Sequence, residues 1–224
     1  MGEKESIETL EIYEFIKDYL PMVPVLKLKK GQFLFRADCK DPTLFYIISG
    51  TIKVEAVSHN GKKTLVDIAG RDEFMGAISM IHGANFQCSG IASTAVAVLV
   101  LKKSLMDELI QSDEFSVFFY QKTSKRVYRM YKKVLARSLF SLKEMVAHYI
   151  LENSTGDIFN YVSIYDMCEK LGASRRGIYN VFQLFESEGL IEKKGEVCRI
   201  LNIQQIKKEA KQVLDFMGEG DEHA

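Results

Sequence analysis

The 224 residues carry 30 basic and 30 acidic side chains, a formal net charge of +0, and 47% of them are hydrophobic. That is enough apolar surface for one large core or two smaller ones, and it excludes a disordered chain. Residues 1–20 scatter Glu3, Glu5, Glu8, Glu11 and Glu14 among apolar side chains, so they lack the basic start and apolar run of a signal peptide, and no stretch reaches the length of a membrane helix; a soluble, cytoplasmic protein without a membrane partner is expected.

An amphipathic N-terminal helix should end near Pro21 and Pro24. Residues 25–101 then break into short apolar runs, Val25 to Leu28, Gln32 to Arg36, Leu44 to Ile48, Thr51 to Val57, Thr64 to Ala69, Gln87 to Ile91 and Ala95 to Lys102. Turn residues separate them at Lys30-Gly31, Asp41-Pro42, Ser49-Gly50, Asn60-Gly61 and Gly70. Asn60-Gly61 is the strongest hairpin signal, because a two-residue turn needs positive φ at both centres. Many short strands at this spacing predict a small β-barrel or jelly roll.

Ser112 and Asp113 open a long helix running to about Arg137, along which Phe115, Phe119, Val127, Met130 and Val134 recur at helical steps. A narrow apolar seam on a charged helix suits pairing with a copy of itself, so a homodimer through Val127, Met130 and Val134 is expected; the other reading is a helix lying along its own barrel. From Lys122 to Arg137 the helix carries Lys122, Lys125, Arg126, Arg129, Lys132, Lys133 and Arg137 and no acid, a basic face inside a neutral protein.

A second compact domain starts near Ser138 with a helix from Lys143 to Glu152. Ser163 stands three residues ahead of Asp166, a capping box with Asp for Glu, and opens a helix burying Ile164, Met167, Cys168 and Leu171. Gly172-Ala173-Ser174 supplies a turn and a new N-cap, and the next helix buries Ile178, Val181, Phe182 and Phe185. Two short helices joined through glycine, followed by a hairpin over Leu190 to Leu201, read as a winged helix-turn-helix. Residues Gly218 to Ala224 read as a disordered tail. The fold class is therefore α+β, with a β-barrel over residues 1–112, a dimerisation helix over 113–137 and a winged helix-turn-helix domain over 138–224.

Cys39, Cys88, Cys168 and Cys198 form no C-x-x-C pair, so they read as apolar fillers. No P-loop, H-E-x-x-H or G-x-S-x-G motif appears, and no enzymatic activity is expected.

Three stretches, Leu44-Phe45-Tyr46-Ile47-Ile48-Ser49-Gly50-Thr51-Ile52-Lys53-Val54, Phe74-Met75-Gly76 and Leu171-Gly172-Ala173-Ser174-Arg175-Arg176, resemble the cyclic-AMP receptor and fumarate-nitrate-reductase regulator (Crp/Fnr) family of bacterial transcription factors, in the family's order and over nearly the whole chain. The resemblance implies a cyclic-nucleotide-binding-type jelly-roll barrel, a palindromic double-stranded DNA operator and RNA polymerase as a partner. Members that bind cyclic AMP hold the ribose with a Glu and the phosphate with an Arg-Ser or Arg-Thr pair; here Ala77, Gln87 and Cys88 take those places. The phosphate charge would lose its charge-assisted hydrogen bonds, so cyclic AMP is not expected as the effector. The oxygen-sensing branch needs an N-terminal cysteine cluster, which residues 1–38 lack, and the lone His59 and His82 are poor haem ligands, so neither an iron–sulfur cluster nor haem is expected. The small-molecule effector is left unknown.

In the family the recognition helix enters the major groove, which implies Ser174, Arg175, Arg176, Tyr179 and Asn180 as the reading residues; the same group lies opposite the apolar stripe. Arg175 suits guanine and Asn180 adenine. Arginines at a helix start oppose the macrodipole, and DNA phosphates would supply a reason for them; the alternative is an ordinary solvated helix start. Lys193 and Lys194 in the wing are candidates for phosphate contact. Gly76, Ala77, Phe86, Gln87 and Cys88 would line the old nucleotide cavity, unless it is a filled apolar core, and Cys88 is a candidate sensing thiol. The competing function is a cyclic-nucleotide-binding or protein-interaction module without direct promoter control.

Overall fold

The computed structural model describes residues 7–38, 43–58, 61, 63–83, 87–160, 163–194 and 197–218, and the chain divides into two compact units, residues 1–128 and 129–224. Asn60, Phe86, His59, Cys39 and the 219–224 tail lie outside the described residues.

In the first unit a short helix α1 (Tyr13–Ile16) and a 3-10 turn (Lys17–Met22) stand where one longer amphipathic helix was expected; Pro21 sits inside that turn. Eight strands follow, β1 (Val25–Leu28), β2 (Phe33–Phe35), β3 (Leu44–Ser49), β4 (Ile52–Val57), β5 (Lys63–Ala69), β6 (Phe74–Met75), β7 (Cys88–Ala92) and β8 (Val96–Leu101), with α2 (Ala77–His82) before β7. They form two antiparallel four-stranded sheets, ordered β1-β8-β3-β6 and β2-β7-β4-β5.

The period of two in β3 shows how the sheets are used. Phe45 and Ile47 face a core shared with Ile52, Val54, Cys88 and Ala92 of the other sheet, whereas Leu44, Tyr46 and Ile48 face outward onto α1, α3 (Lys103–Leu109) and the start of α4 (Asp113–Leu139). This strand is buried on both faces, which is why it reads as an unbroken apolar run.

In the second unit α5 (Leu142–Glu152) begins with a full capping box: the Glu144 N–H donates to Ser141 Oγ at 3.3 Å, and the Ser141 N–H donates to Glu144 Oε2 at 2.8 Å. The small hairpin of β9 (Ser154–Thr155) and β10 (Ile158–Phe159) joins β12 (Val197–Ile200) and β11 (Ile191–Lys194) in one sheet, ordered β11-β12-β10-β9. Helices α6 (Ile164–Leu171) and α7 (Arg175–Ser187) pack on α5 and α8 (Ile203–Gly218) around Val146, Ile150, Phe159, Phe185 and Ile206. No helix among the described residues is long and apolar enough to cross a membrane.

Candidate nucleic-acid interface

The α6–turn–α7 segment is built by its polar punctuation. Ser163 Oγ accepts the Asp166 N–H at 3.0 Å, which caps α6. Only this half of the expected capping box forms between the two side chains and backbones: the Asp166 carboxylate instead pairs with Lys170 Nζ at 2.9 Å and accepts a bond from the Tyr149 hydroxyl at 3.2 Å. Gly172 closes α6 at φ +65°, a left-handed conformation that side chains with a Cβ disfavour. Arg137, near the end of α4, donates from Nη2 to the Lys170 carbonyl at 2.8 Å and lies along Gly172. A guanidinium at the last turn of α6 meets carbonyls that the helix leaves unpaired.

Ser174 caps α7 by accepting the Gly177 N–H at 3.1 Å. Ile178, Val181, Phe182 and Phe185 are buried in the core of this unit, and Ser174, Arg175, Arg176, Tyr179 and Asn180 are all exposed. The sequence reading missed Gln183, which is exposed one turn beyond Asn180 and Tyr179; its spacing of three and four from them was the available signal.

The two wing lysines differ. Lys193 turns onto α7: its Nζ lies 5.7 Å from the centre of the Tyr179 ring and 5.9 Å from that of Phe182, and its N–H donates to Glu186 Oε1 at 3.1 Å. Lys194 is exposed and pairs with Glu192 at 2.9 Å. The tip, residues 195–196, lies outside the described residues.

The long-helix candidates fall on two faces rather than one seam. Phe115 and Phe119 are buried in the first unit, while Val127 and Val134 are exposed in company with Val117, Tyr120 and Tyr131, and Met130 is half-buried off that stripe. The basic residues of this helix are largely tie points and not a free basic face. Lys122 pairs with Glu11, Arg126 with Asp67, and Lys132 Nζ donates to the Met217 carbonyl at 2.7 Å.

Two of the expected ligand residues, Ala77 and Cys88, belong to different apolar clusters. Ala77 packs with Phe74 and Leu44 on the helix-bearing side of the first sheet, whereas Cys88 lies between the sheets. Gln87 is exposed, at φ +52°. Gly76, at φ +93°, lies so close to the Thr43 carbonyl that a Cβ would collide with it, so it shapes the backbone there. Phe86 lies outside the described residues. Burial pushes the Cys88 thiol up from its ordinary pKa, which lowers the thiolate fraction a redox sensor depends on. Among the described residues no group of three or more His, Cys, Asp or Glu side chains is placed to hold a metal.

Residues 25–113 match the family model of the cyclic nucleotide-binding domain. The chain is 20% identical over 185 residues to the "Probable transcriptional regulator flp" of Lacticaseibacillus casei, covering 80% of this chain and 84% of that protein. Among solved structures, a Crp/Fnr-family transcriptional regulator from Thermus thermophilus superposes with a TM-score of 0.65 at 17% identity, over 84% of this chain and 98% of the other. The c-di-GMP-responsive global regulator CLP of Xanthomonas campestris gives 0.70 at 17% identity, over 84% and 99%. A β-rich cyclic nucleotide-binding-type domain followed by a long helix and C-terminal helices defines the class. The chain has the fold of the Crp/Fnr regulators, and the family likeness read from its sequence is borne out.

Proposed function

We propose that this chain is a cytoplasmic, homodimeric transcription regulator whose α6, α7 and β11–β12 hairpin form a winged helix-turn-helix reading a palindromic operator. The observation that carries this reading is the division of α7: one face is buried to the last side chain, and the other exposes Arg175, Arg176, Tyr179, Asn180 and Gln183 together. Neither arginine has an acidic side chain within ion-pair distance among the described residues. Two cations at a helix N-terminus, where the macrodipole disfavours them, suit a phosphate-rich partner, and the guanidinium fork suits guanine.

In this reading residues 1–112 form the sensor, 113–137 the dimerisation helix and 138–224 the DNA-binding domain. RNA polymerase is the second macromolecular partner, as the relatives' description as transcriptional regulators supports, and no catalytic role is assigned. The effector is not cyclic AMP, because Ala77, Gln87 and Cys88 supply neither the carboxylate nor the guanidinium that its ribose and phosphate need.

Selection of bound sequences from a random duplex pool by the full-length protein tests the reading. It should enrich an imperfect palindrome whose half-sites are about one helical turn, roughly 34 Å, apart. A pool that stays random contradicts it.

A further inference from the structure

Side chains of a β-strand alternate between its two sides, and β11 divides its residues accordingly. Ile191 and Lys193 stand opposite Ile200 and Cys198 of β12, and the three apolar members of this group are buried in the core of the unit. Glu192 and Lys194 take the other side and pair with each other. Lys193 therefore occupies a core-facing register position, where an apolar side chain would be ordinary. It is half-buried, and its Nζ lies within cation–π reach of two rings of α7, 5.7 Å from the centre of Tyr179 and 5.9 Å from that of Phe182. Its backbone is tied to the same helix, through the N–H that donates to Glu186 Oε1.

Tyr179, Phe182 and Glu186 follow one another at steps of three and four, so they form one stripe of α7, and a single wing residue meets all three. The stripe runs from core to surface. Phe182 is buried, whereas Tyr179 is exposed one turn on from Arg175 and Arg176. A tyrosine on an open helix face can choose among rotamers, and a cation against its ring favours the one that leans towards the wing. A ring held in this way is an apolar plate in a fixed place. On the major-groove edge of a base pair its natural counterpart is the C5-methyl group of thymine.

We propose that Lys193 is a positioning residue and not a phosphate ligand: its ammonium group holds the Tyr179 ring towards the wing, and the ring so held reads a thymine methyl in each half-site. The wing then contributes to sequence choice through α7 without touching a base itself. Lys194, on the other side of the strand, keeps the phosphate role. The inference rests on the winged helix-turn-helix reading above.

Competition binding by the full-length protein on its selected operator, with each thymine exchanged in turn for deoxyuridine, tests the proposal, because that exchange removes only the methyl group. In the wild type one position in each half-site should weaken binding about fourfold, the weight of one buried methyl. Tyr179→Ala should abolish this discrimination and Tyr179→Phe should keep it. Lys193→Met, which retains the bulk of the stem without its charge, should also abolish it while leaving the salt dependence unchanged, and Lys193→Arg should restore it. A phosphate ligand behaves otherwise: its loss takes about 0.9 per half-site from the slope of log K against log salt. Such a fall in Lys193→Met, methyl discrimination that survives Lys193→Met, or a wild type indifferent to every thymine methyl overturns the proposal. The contact itself is read without DNA, since the Lys193 ε-methylene protons should show an upfield ring-current shift that shrinks in Tyr179→Ala; an unchanged shift overturns the placement. A protein that selects no DNA sequence overturns the regulator reading and the methyl contact with it, and the proton shifts then still decide whether Lys193 holds Tyr179.

Discussion

Replacing Val127 and Val134 together by Asp should dissociate the dimer proposed above. In the single chain these side chains are 46% and 57% exposed, so pairing has about half of each left to bury. Complete burial of a valine is worth about 1.5–3 kcal/mol, so half is worth about 1 kcal/mol. Two positions in two copies give about 4 kcal/mol, close to a thousandfold in the dissociation constant, before the cost of bringing carboxylates together is added. Light scattering over a concentration series reads this directly, with the variant expected at monomer mass where the wild type is dimeric. Met130→Ala is the control, since Met130 is half-buried off the exposed stripe and should shift the constant far less. An unchanged dimer mass in the double variant would refute the seam and move the interface elsewhere.

Cyclic AMP and cyclic GMP should give no heat of binding in calorimetric titration at physiological concentrations; a micromolar dissociation constant for either would overturn the reading of Ala77, Gln87 and Cys88. Burial, followed by the nearby Glu186, pushes the Cys198 pKa up from 9.0 to about 11. Below pH 9.0 the thiol is protonated in both states and the stability it supports is fully present; as pH rises through about 11 the unfolded chain has released the proton first, and about 3 kcal/mol is lost. Urea melts at pH 8 and 11 should show a fall in stability that is smaller by about that amount in Cys198→Val, and identical falls would count against it.

The strands were legible because turn residues and period-two patterns mark them independently of tertiary context. Every apolar run read between Val25 and Lys102 reappears as a strand, with ends shifted by a residue or two. β6, β9 and β10 were not read, since two residues cannot display a period. The helix α8 was readable and missed: Ile206, Ala210 and Val213 recur at steps of four and three, and all three are buried.

The long helix illustrates a different difficulty. Phe115 and Phe119 are compatible in spacing with Val127 and Val134, but a helix bearing two apolar stripes can be read as one when the gap between them is long. The exposed face of α7 was legible because its apolar stripe is narrow and regular. Where Lys193 points was not, because its aromatic partners Tyr179 and Phe182 belong to another element. That Ala77 and Cys88 pack in different apolar clusters was not legible, because it depends on which side of which sheet each one occupies.

The most direct test of the central claim compares Arg175→Ala and Lys194→Ala with the wild type by fluorescence anisotropy, on the selected operator and on a scrambled duplex at several salt concentrations. Loss of a bidentate base contact should cost Arg175→Ala about 1–3 kcal/mol per half-site on the operator and much less on scrambled DNA. Lys194→Ala should weaken both duplexes alike and flatten the salt dependence. If Arg175→Ala lowers both affinities equally, α7 grips phosphates without reading sequence, and the account of this interface is contradicted.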